Sequence, residues 1–67
     1  MGVRVLLIGD IVGRPGRQIV ERALPMLRRR EQLDLVTANA ENAAGGSGLT
    51  PAIYTQLRQA GVDVITL

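Results

Sequence analysis

The chain has 67 residues, of which 46% are hydrophobic and 21% charged, and it contains neither cysteine nor histidine. These values are typical of a globular domain and exclude a disulfide framework or a thiolate metal site within these residues, while no apolar stretch approaches the roughly 20 residues that span a bilayer. The formal net charge is +2 and the single aromatic residue, Tyr54, provides no stacking platform, so we expect no nucleic-acid partner, no membrane partner and a cytoplasmic location.

Three apolar runs, at residues 3–9, 33–39 and 62–67, predict β-strands. The runs are nearly continuous, as expected for strands that are buried on both faces. Between the first two, apolar residues recur at helical spacing, which predicts a helix from about Pro15 to Arg30. Pro15 suits the first turn of a helix, whereas Pro25 in the interior predicts a kink or a split near Ala23.

The second connection begins with a loop of small residues, 40–48, and continues as a short helix. Thr50 is predicted to be the N-cap of this helix and Pro51 its first residue. A stripe of buried apolar side chains follows, and Gly61 ends the helix. The stripe consists of Ile53, Leu57 and Ala60. The alternation of strands and helices predicts an α/β fold, a parallel βαβαβ unit with right-handed crossovers. Because the sequence stops within an apolar run, we interpret it as the amino-terminal part of a single longer domain.

Isolated carboxylates fall where the first two strands end. Asp10 closes the first run, and Glu41 follows the second. Open parallel sheets bind their ligands outside the carboxyl edge, where both acids would emerge beside Asn42 and the glycine-rich loop. Carboxylate and amide oxygens suit divalent metals, so the three residues predict the beginning of a cation or phosphate site. A structural or capping role for Asp10, and a solvated linker around Glu41, remain alternatives at this point.

The glycines between Gly9 and Gly16 follow neither the G-x-G-x-x-G pattern nor a Walker A loop. We interpret them as turn residues, and Asp10 as better suited to a metal than to a pyrophosphate, which its charge would repel. The basic cluster Arg28–Arg30 falls at a predicted helix end, where cations complement the macrodipole. Asp34 and Asp63 would lie at the opposite edge of the sheet, as strand-entry contacts.

Three blocks then carry a resemblance: Gly-Asp-Ile-Val-Gly-Arg-Pro-Gly-Arg at 9–17, Asn-Ala-Glu-Asn-Ala-Ala-Gly-Gly at 39–46 and Gly-Val-Asp-Val-Ile-Thr-Leu at 61–67. Their order and approximate spacing resemble the opening of the YmdB-type metallophosphoesterases, bacterial members of the calcineurin-like superfamily. The resemblance covers the whole chain, and the Glu-Asn-Ala-Ala-Gly-Gly run is its most specific part.

The resemblance implies a four-layer α/β/β/α sandwich around two divalent metal ions, iron or manganese. It assigns Asp10 to one metal, Glu41 to a bridging position between both, and Asn42 to the first metal. It places the proton-donor histidine in a Gly-Asn-His segment beyond Leu67, so no catalytic residue is assigned within the chain. Val12 stands where the wider superfamily has a histidine, as is normal in this branch, and mechanisms that use that histidine do not carry over.

The function implied by the resemblance is hydrolysis of small-molecule phosphodiesters, including 2′,3′-cyclic nucleotides and in some members 3′,5′-cyclic ones. The 67 residues alone are expected to be inactive, and no substrate-binding residue is assigned. One alternative is a nucleotide-binding α/β module without hydrolysis, with the phosphate on the amino end of the first helix. Another is a structural fragment or an inactive homologue. Association of copies into a homo-oligomer stays open.

Overall fold

Three parallel strands and two connecting helices make up the fold. The computed structural model describes residues 2–45 and 48–67, and Gly46 and Ser47 of the predicted loop lie outside them. In chain order the elements are β1 (Val5–Asp10), α1 (Gly13–Glu31), β2 (Leu35–Asn39), α2 (Pro51–Ala60) and β3 (Val64–Thr66). The sheet has the order β1-β2-β3 with both pairings parallel, which confirms the predicted α/β class and the βαβαβ unit.

One face of the sheet carries the core. Because consecutive strands are neighbours and crossovers are right-handed, α1 and α2 lie on the same face and contact each other. The buried residues of this layer are Ile11, Val20, Leu24, Val36, Ala38, Ala40, Ala43, Leu57, Ala60 and Val62. On the other face Leu7 is 75% exposed, and Val5, Leu35 and Val64 are also exposed. The expectation of strands buried on both faces is therefore wrong for these residues, since both helices cover a single face.

Helix α1 differs from its prediction in two ways. It begins at Gly13 and ends at Glu31, and it runs through Pro25 as one helix, so of the predicted kink or split the split does not occur. Pro25 is exposed, so its ring needs no space in the core. Leu24 is buried on one side of it, and on the other Arg28 donates a hydrogen bond to the carbonyl of Gly61 at 2.6 Å. These tertiary contacts anchor both halves of the helix and offset the hydrogen bond that proline removes.

The strands begin two residues later than predicted, and β1 ends one residue later, at Asp10. Pairing between β1 and β2 starts where the carbonyl of Arg4 accepts the amides of Asp34 and Leu35, at 2.8 and 3.3 Å. The side chain of Asp34 accepts the Arg4 amide at 2.8 Å, and that of Asp63 accepts the Val36 amide at 2.9 Å. The prediction that these acids make strand-entry contacts is confirmed.

Helix α2 follows its prediction closely. The Thr50 hydroxyl accepts the amide of Ile53 at 3.2 Å as an N-cap, and Leu57 is fully buried. The helix ends at Ala60, and at the C-cap residue, Gly61, φ is 122° and a Cβ atom would lie 3.0 Å from Cδ of Arg28, so glycine is needed there. Neither α1 nor α2, the helices of the described residues, is long and apolar enough to cross a membrane.

Candidate functional site

A bulge at Gly9 sets the position of Asp10. Ile8 pairs with Ala38 but Asp10 pairs with Asn39, so Gly9 is left without a partner in the register. An extra residue in one strand bends that strand and changes the direction in which the next side chain leaves it. The bulge therefore decides how the carboxylate of Asp10 emerges at the carboxyl edge. The sequence signal was a glycine inside a strand pattern, which often marks a bulge.

Asp10 and Asn42 are in direct contact. The Nδ2 atom of Asn42 donates a hydrogen bond to Oδ2 of Asp10 at 3.0 Å. The structure therefore brings together two of the three predicted ligands, from the ends of two strands. Asp10 does not cap α1, because the N-cap residue of that helix is Val12 and no side chain accepts a hydrogen bond there.

The backbone of Asn42 also fixes the start of α1. Its carbonyl accepts the amide of Gly13 at 3.0 Å and the amide of Gly45 at 3.2 Å. Gly13 has a φ of 60°, a left-handed conformation that glycine adopts without strain. The loop after β2 and the turn after β1 are thus joined at one residue, and Asn42 is positioned by its main chain as well as by its side chain.

Glu41 lies beside Asn42 with its backbone bound on both sides. Its amide donates to Oδ1 of Asn39 at 3.2 Å, and its carbonyl accepts the amide of Gly48 at 2.8 Å. Within residues 2–45 and 48–67 the carboxylate itself is exposed and makes no hydrogen bond or ion pair. Glu41, the third predicted ligand, therefore directly precedes Asn42 in the chain. Its carboxylate makes no hydrogen bond with Asp10 or Asn42.

The donor set fits a hard or borderline divalent cation. Asp10 and Glu41 supply anionic oxygens, and the Asn42 amide, whose nitrogen is bound to Asp10, leaves its Oδ1 oxygen as a neutral donor. Among the described residues no three His, Cys, Asp or Glu side chains converge into a group that would hold a metal. These residues therefore fit as part of a metal site, with further ligands needed to complete its coordination.

Sequence reasoning missed three residues that support this loop. Asn39 accepts the amide of Glu41, Arg17 in α1 donates to the carbonyl of Ala43 in the loop, and Gln56 in α2 holds Arg17 by accepting from its Nε. No pattern in the chain marks them, because their role depends on which helix packs against the loop. The predicted apolar stripes of both helices were the available signal for that packing.

Known proteins resemble this chain over nearly all of its length. A family model described as YmdB-like protein matches residues 6–67. The 2′,3′-cyclic-nucleotide 2′-phosphodiesterase of Bacillus subtilis is 46% identical over 65 residues, which are 97% of this chain and 25% of that protein. The chain spans about a quarter of the length of the curated relatives that it matches.

Two crystal structures share the fold. One, of a hypothetical protein from Thermus thermophilus, superposes with a TM-score of 0.90 at 51% identity, over 97% of this chain and 25% of that one. The other, of a novel phosphatase from Mycoplasma pneumoniae, gives a TM-score of 0.89 at 40% identity, over 94% of this chain and 22% of that one. With the family model matching all but the first five residues, the chain belongs to the YmdB-like family.

Proposed function

We propose that this chain is the amino-terminal part of a phosphodiesterase of the length of its relatives, with 2′,3′-cyclic nucleotides as substrates. In this proposal two divalent metal ions, iron or manganese, are held at the carboxyl edge, with Asp10 and Asn42 on one ion and Glu41 between both. The contact between Asp10 and Asn42 at 3.0 Å is the observation that carries it. The name of the Bacillus subtilis relative supports the substrate class.

The chemistry divides between the bound ions and the chain. Two cations lower the pKa of a bound water and clamp the oxygens of the phosphate. The chain supplies negative charge at Asp10 and Glu41 to hold such cations, and a neutral oxygen at Asn42. Having no histidine, it supplies no imidazole to protonate a leaving group.

The proposal is tested by alanine variants in a protein of the relatives' length that contains this chain. Glu41→Ala is expected to remove both metals and to reduce turnover by orders of magnitude, because a bridging carboxylate contacts both ions. Asp10→Ala is expected to weaken mainly one metal. Metal content measured by atomic emission and turnover of 2′,3′-cyclic and 3′,5′-cyclic nucleotides give the two readouts.

Glu31→Ala is the matched control, because Glu31 is a partly exposed acid that pairs with Arg4 at 2.9 Å, on the amino side of the sheet. It is expected to leave metal content and turnover unchanged. Two full metal equivalents in Glu41→Ala, together with wild-type turnover, would contradict the proposal. A wild-type protein that hydrolyses 3′,5′-cyclic nucleotides faster than 2′,3′-cyclic ones would correct the substrate class and leave the metal assignment standing.

The structure gives no support to nucleotide binding without hydrolysis. That function needs free amides at the amino end of α1 for the phosphate. The Gly13 amide already donates to the carbonyl of Asn42, and the exposed carboxylate of Asp10 is two residues before the helix N-cap. Titration of the metal-free protein with a nucleotide is therefore expected to show no binding.

A further inference from the structure

One guanidinium group ties both helices to the loop that carries Glu41 and Asn42. Arg17, in α1, donates from Nη1 to the carbonyl of Ala43 at 2.7 Å and from Nε to Oε1 of Gln56 in α2 at 3.2 Å. Gln56 in turn donates from Nε2 to Oε2 of Glu21 in α1 at 3.1 Å. The guanidinium is thus held from α2 while it binds the loop.

The bound carbonyl directly follows the candidate ligands. Ala43 is fully buried, and it is the next residue after Asn42. Two successive carbonyls of the loop therefore bond to α1: that of Asn42 to the Gly13 amide, and that of Ala43 to Arg17. Charge-assisted bonds to a carbonyl are among the stronger hydrogen bonds, and partial burial reduces competition from water.

We propose that Arg17 is a positioning residue for the metal site, which holds Asn42 and Glu41 in place through the carbonyl of Ala43. This inference rests on the proposed function, because it assigns Arg17 a role toward the metal that those two residues would bind. Arg17 contacts neither carboxylate of the site, so it acts on the ligands through the backbone. Supporting residues of this kind typically change metal affinity by about 10- to 100-fold when they are replaced.

Arginine is required here for a geometric reason. Its planar fork presents Nη1 to Ala43 and Nε to Gln56 at the same time, whereas a lysine ammonium is a single point charge without that fixed geometry. Arg17→Lys keeps the charge and is therefore the sharpest variant. Gln56→Ala leaves Arg17 in place but removes its second partner, and it is expected to have a smaller effect in the same direction.

Arg28→Lys is the matched control. Arg28 is a second half-buried arginine of α1 that binds a loop carbonyl, that of Gly61, and the carboxylate of Asp63, both at 2.6 Å. Those contacts lie at the amino end of β3, away from the candidate site. The control should lower the unfolding temperature without changing metal affinity, as a purely structural arginine would.

The experiment uses a protein of the relatives' length with Mn²⁺ as the probe. We expect Arg17→Lys to weaken Mn²⁺ binding by about 10- to 100-fold in calorimetric titration. We also expect faster amide hydrogen exchange in a peptide covering residues 39–48 of the metal-free protein. Arg28→Lys should show neither effect. Exchange and affinity at the wild-type level in Arg17→Lys would overturn the inference.

The two proposals fail in different ways. A wild-type protein that binds no Mn²⁺ and has no turnover overturns the proposed function, and hydrogen exchange of the loop still decides whether Arg17 positions it. A wild-type protein that binds Mn²⁺ and turns over substrate, with an Arg17→Lys variant that does the same, overturns the positioning role alone. Equal losses of affinity in Arg17→Lys and Arg28→Lys would also overturn it, because the effect would then be one of general stability.

Discussion

Asp63 joins three elements of the fold through a single carboxylate. Its Oδ2 atom accepts from Nη1 of Arg28 in α1 at 2.6 Å and from the amide of Val36 in β2 at 2.9 Å, and Asp63 itself precedes β3. The pKa of this carboxyl is lowered from its ordinary value of 3.8. The hydrogen bond from Arg28 is the largest cause and the hydrogen bond from Val36 is the second, while burial acts in the opposite direction. The charged form is therefore the one that the fold stabilises.

The lowered pKa predicts a pH-dependent stability. An acid whose pKa is lower in the folded state contributes stability above the unfolded pKa, and that contribution is lost as the pH falls through the folded pKa. Asp63→Asn should therefore reduce the free energy of unfolding at neutral pH, by less than about 1 kcal/mol because the pair is partly exposed to screening solvent, and the loss should shrink as the pH falls below the ordinary value of 3.8. Urea unfolding at neutral pH and at a pH below 3.8 measures the difference.

A double-mutant cycle with Arg28→Met separates the ion pair from packing. If the pair carries the effect, the combined variant should lose less than the sum of the two single losses at neutral pH. A loss from Asp63→Asn that is the same at both pH values would instead assign the role of this side chain to its shape and neutral hydrogen bonding.

At the scale of single residues, the sequence predicted part of the candidate site. The contact between Asp10 and Asn42 was predictable because apolar runs show where strands end, and parallel strands end at one edge, while the place of Glu41 in a metal site stays a prediction. The glycine in the strand pattern was a signal for the bulge at Gly9, but the shift in its register against β2 was not predictable from residue spacing, and neither was the bond from Arg17 to Ala43. Both depend on how one segment meets another across the fold, which periodicity within a segment does not encode.

Among the elements, α1 shows how tertiary contacts override a local preference. A proline inside a helix removes a hydrogen bond and crowds the preceding turn, which is why the sequence predicted a kink or a split. In the structure the helix continues through Pro25 over 19 residues. Its apolar stripe is also only partly covered, since Ile19 is 67% exposed beside an apolar groove between α1 and β1. The contacts that hold the helix come from residues distant in the chain, so no window of the sequence reveals them.

Pro25→Ala is expected to stabilise the protein. Alanine restores the amide that a helix uses at this position and has the highest helix propensity, while Pro25 is exposed and its replacement leaves no cavity. We expect a gain of about 1 to 3 kcal/mol in the free energy of unfolding, reduced by the greater freedom of the unfolded chain. Thermal unfolding of the two proteins measures it. A loss of stability would show that the proline ring makes a contact that the helix needs.

At the scale of all the described residues, helices cover only one of the two faces of the sheet. Both helices lie on one face, and on the other Leu7 and its exposed neighbours Val5, Leu35 and Val64 form an apolar surface. The strands β1 and β3 are the edges of the three-stranded sheet, and no other strand of residues 2–45 and 48–67 pairs with their outer sides. Uncovered apolar surface and bare edges both favour association.

Residues 1–67 produced alone are therefore expected to fold poorly or to self-associate, and to show no tight metal binding or turnover. The candidate ligands are three oxygen donors, and the chain has no histidine to complete a borderline-metal site. Sedimentation, calorimetric titration with Mn²⁺ and a turnover assay on 2′,3′-cyclic nucleotides test each part. Leu7→Lys should reduce association, because this residue is 75% exposed on the uncovered face, without creating metal binding. Micromolar metal binding or turnover by a monomer would show that the site is misplaced.

The first amide of α1 is capped by a residue from another segment of the chain, because the Gly13 amide donates to the carbonyl of Asn42. Val12 offers no side chain to the first amides, and the carbonyl that accepts the Gly13 amide belongs to the loop beyond β2. Because this hydrogen bond breaks when either segment opens, we expect fraying of the first turn of α1 and opening of the ligand loop to be coupled. A cation bound at Asn42 would oppose that opening by mass action, so its protection would extend from the site into the backbone of the helix.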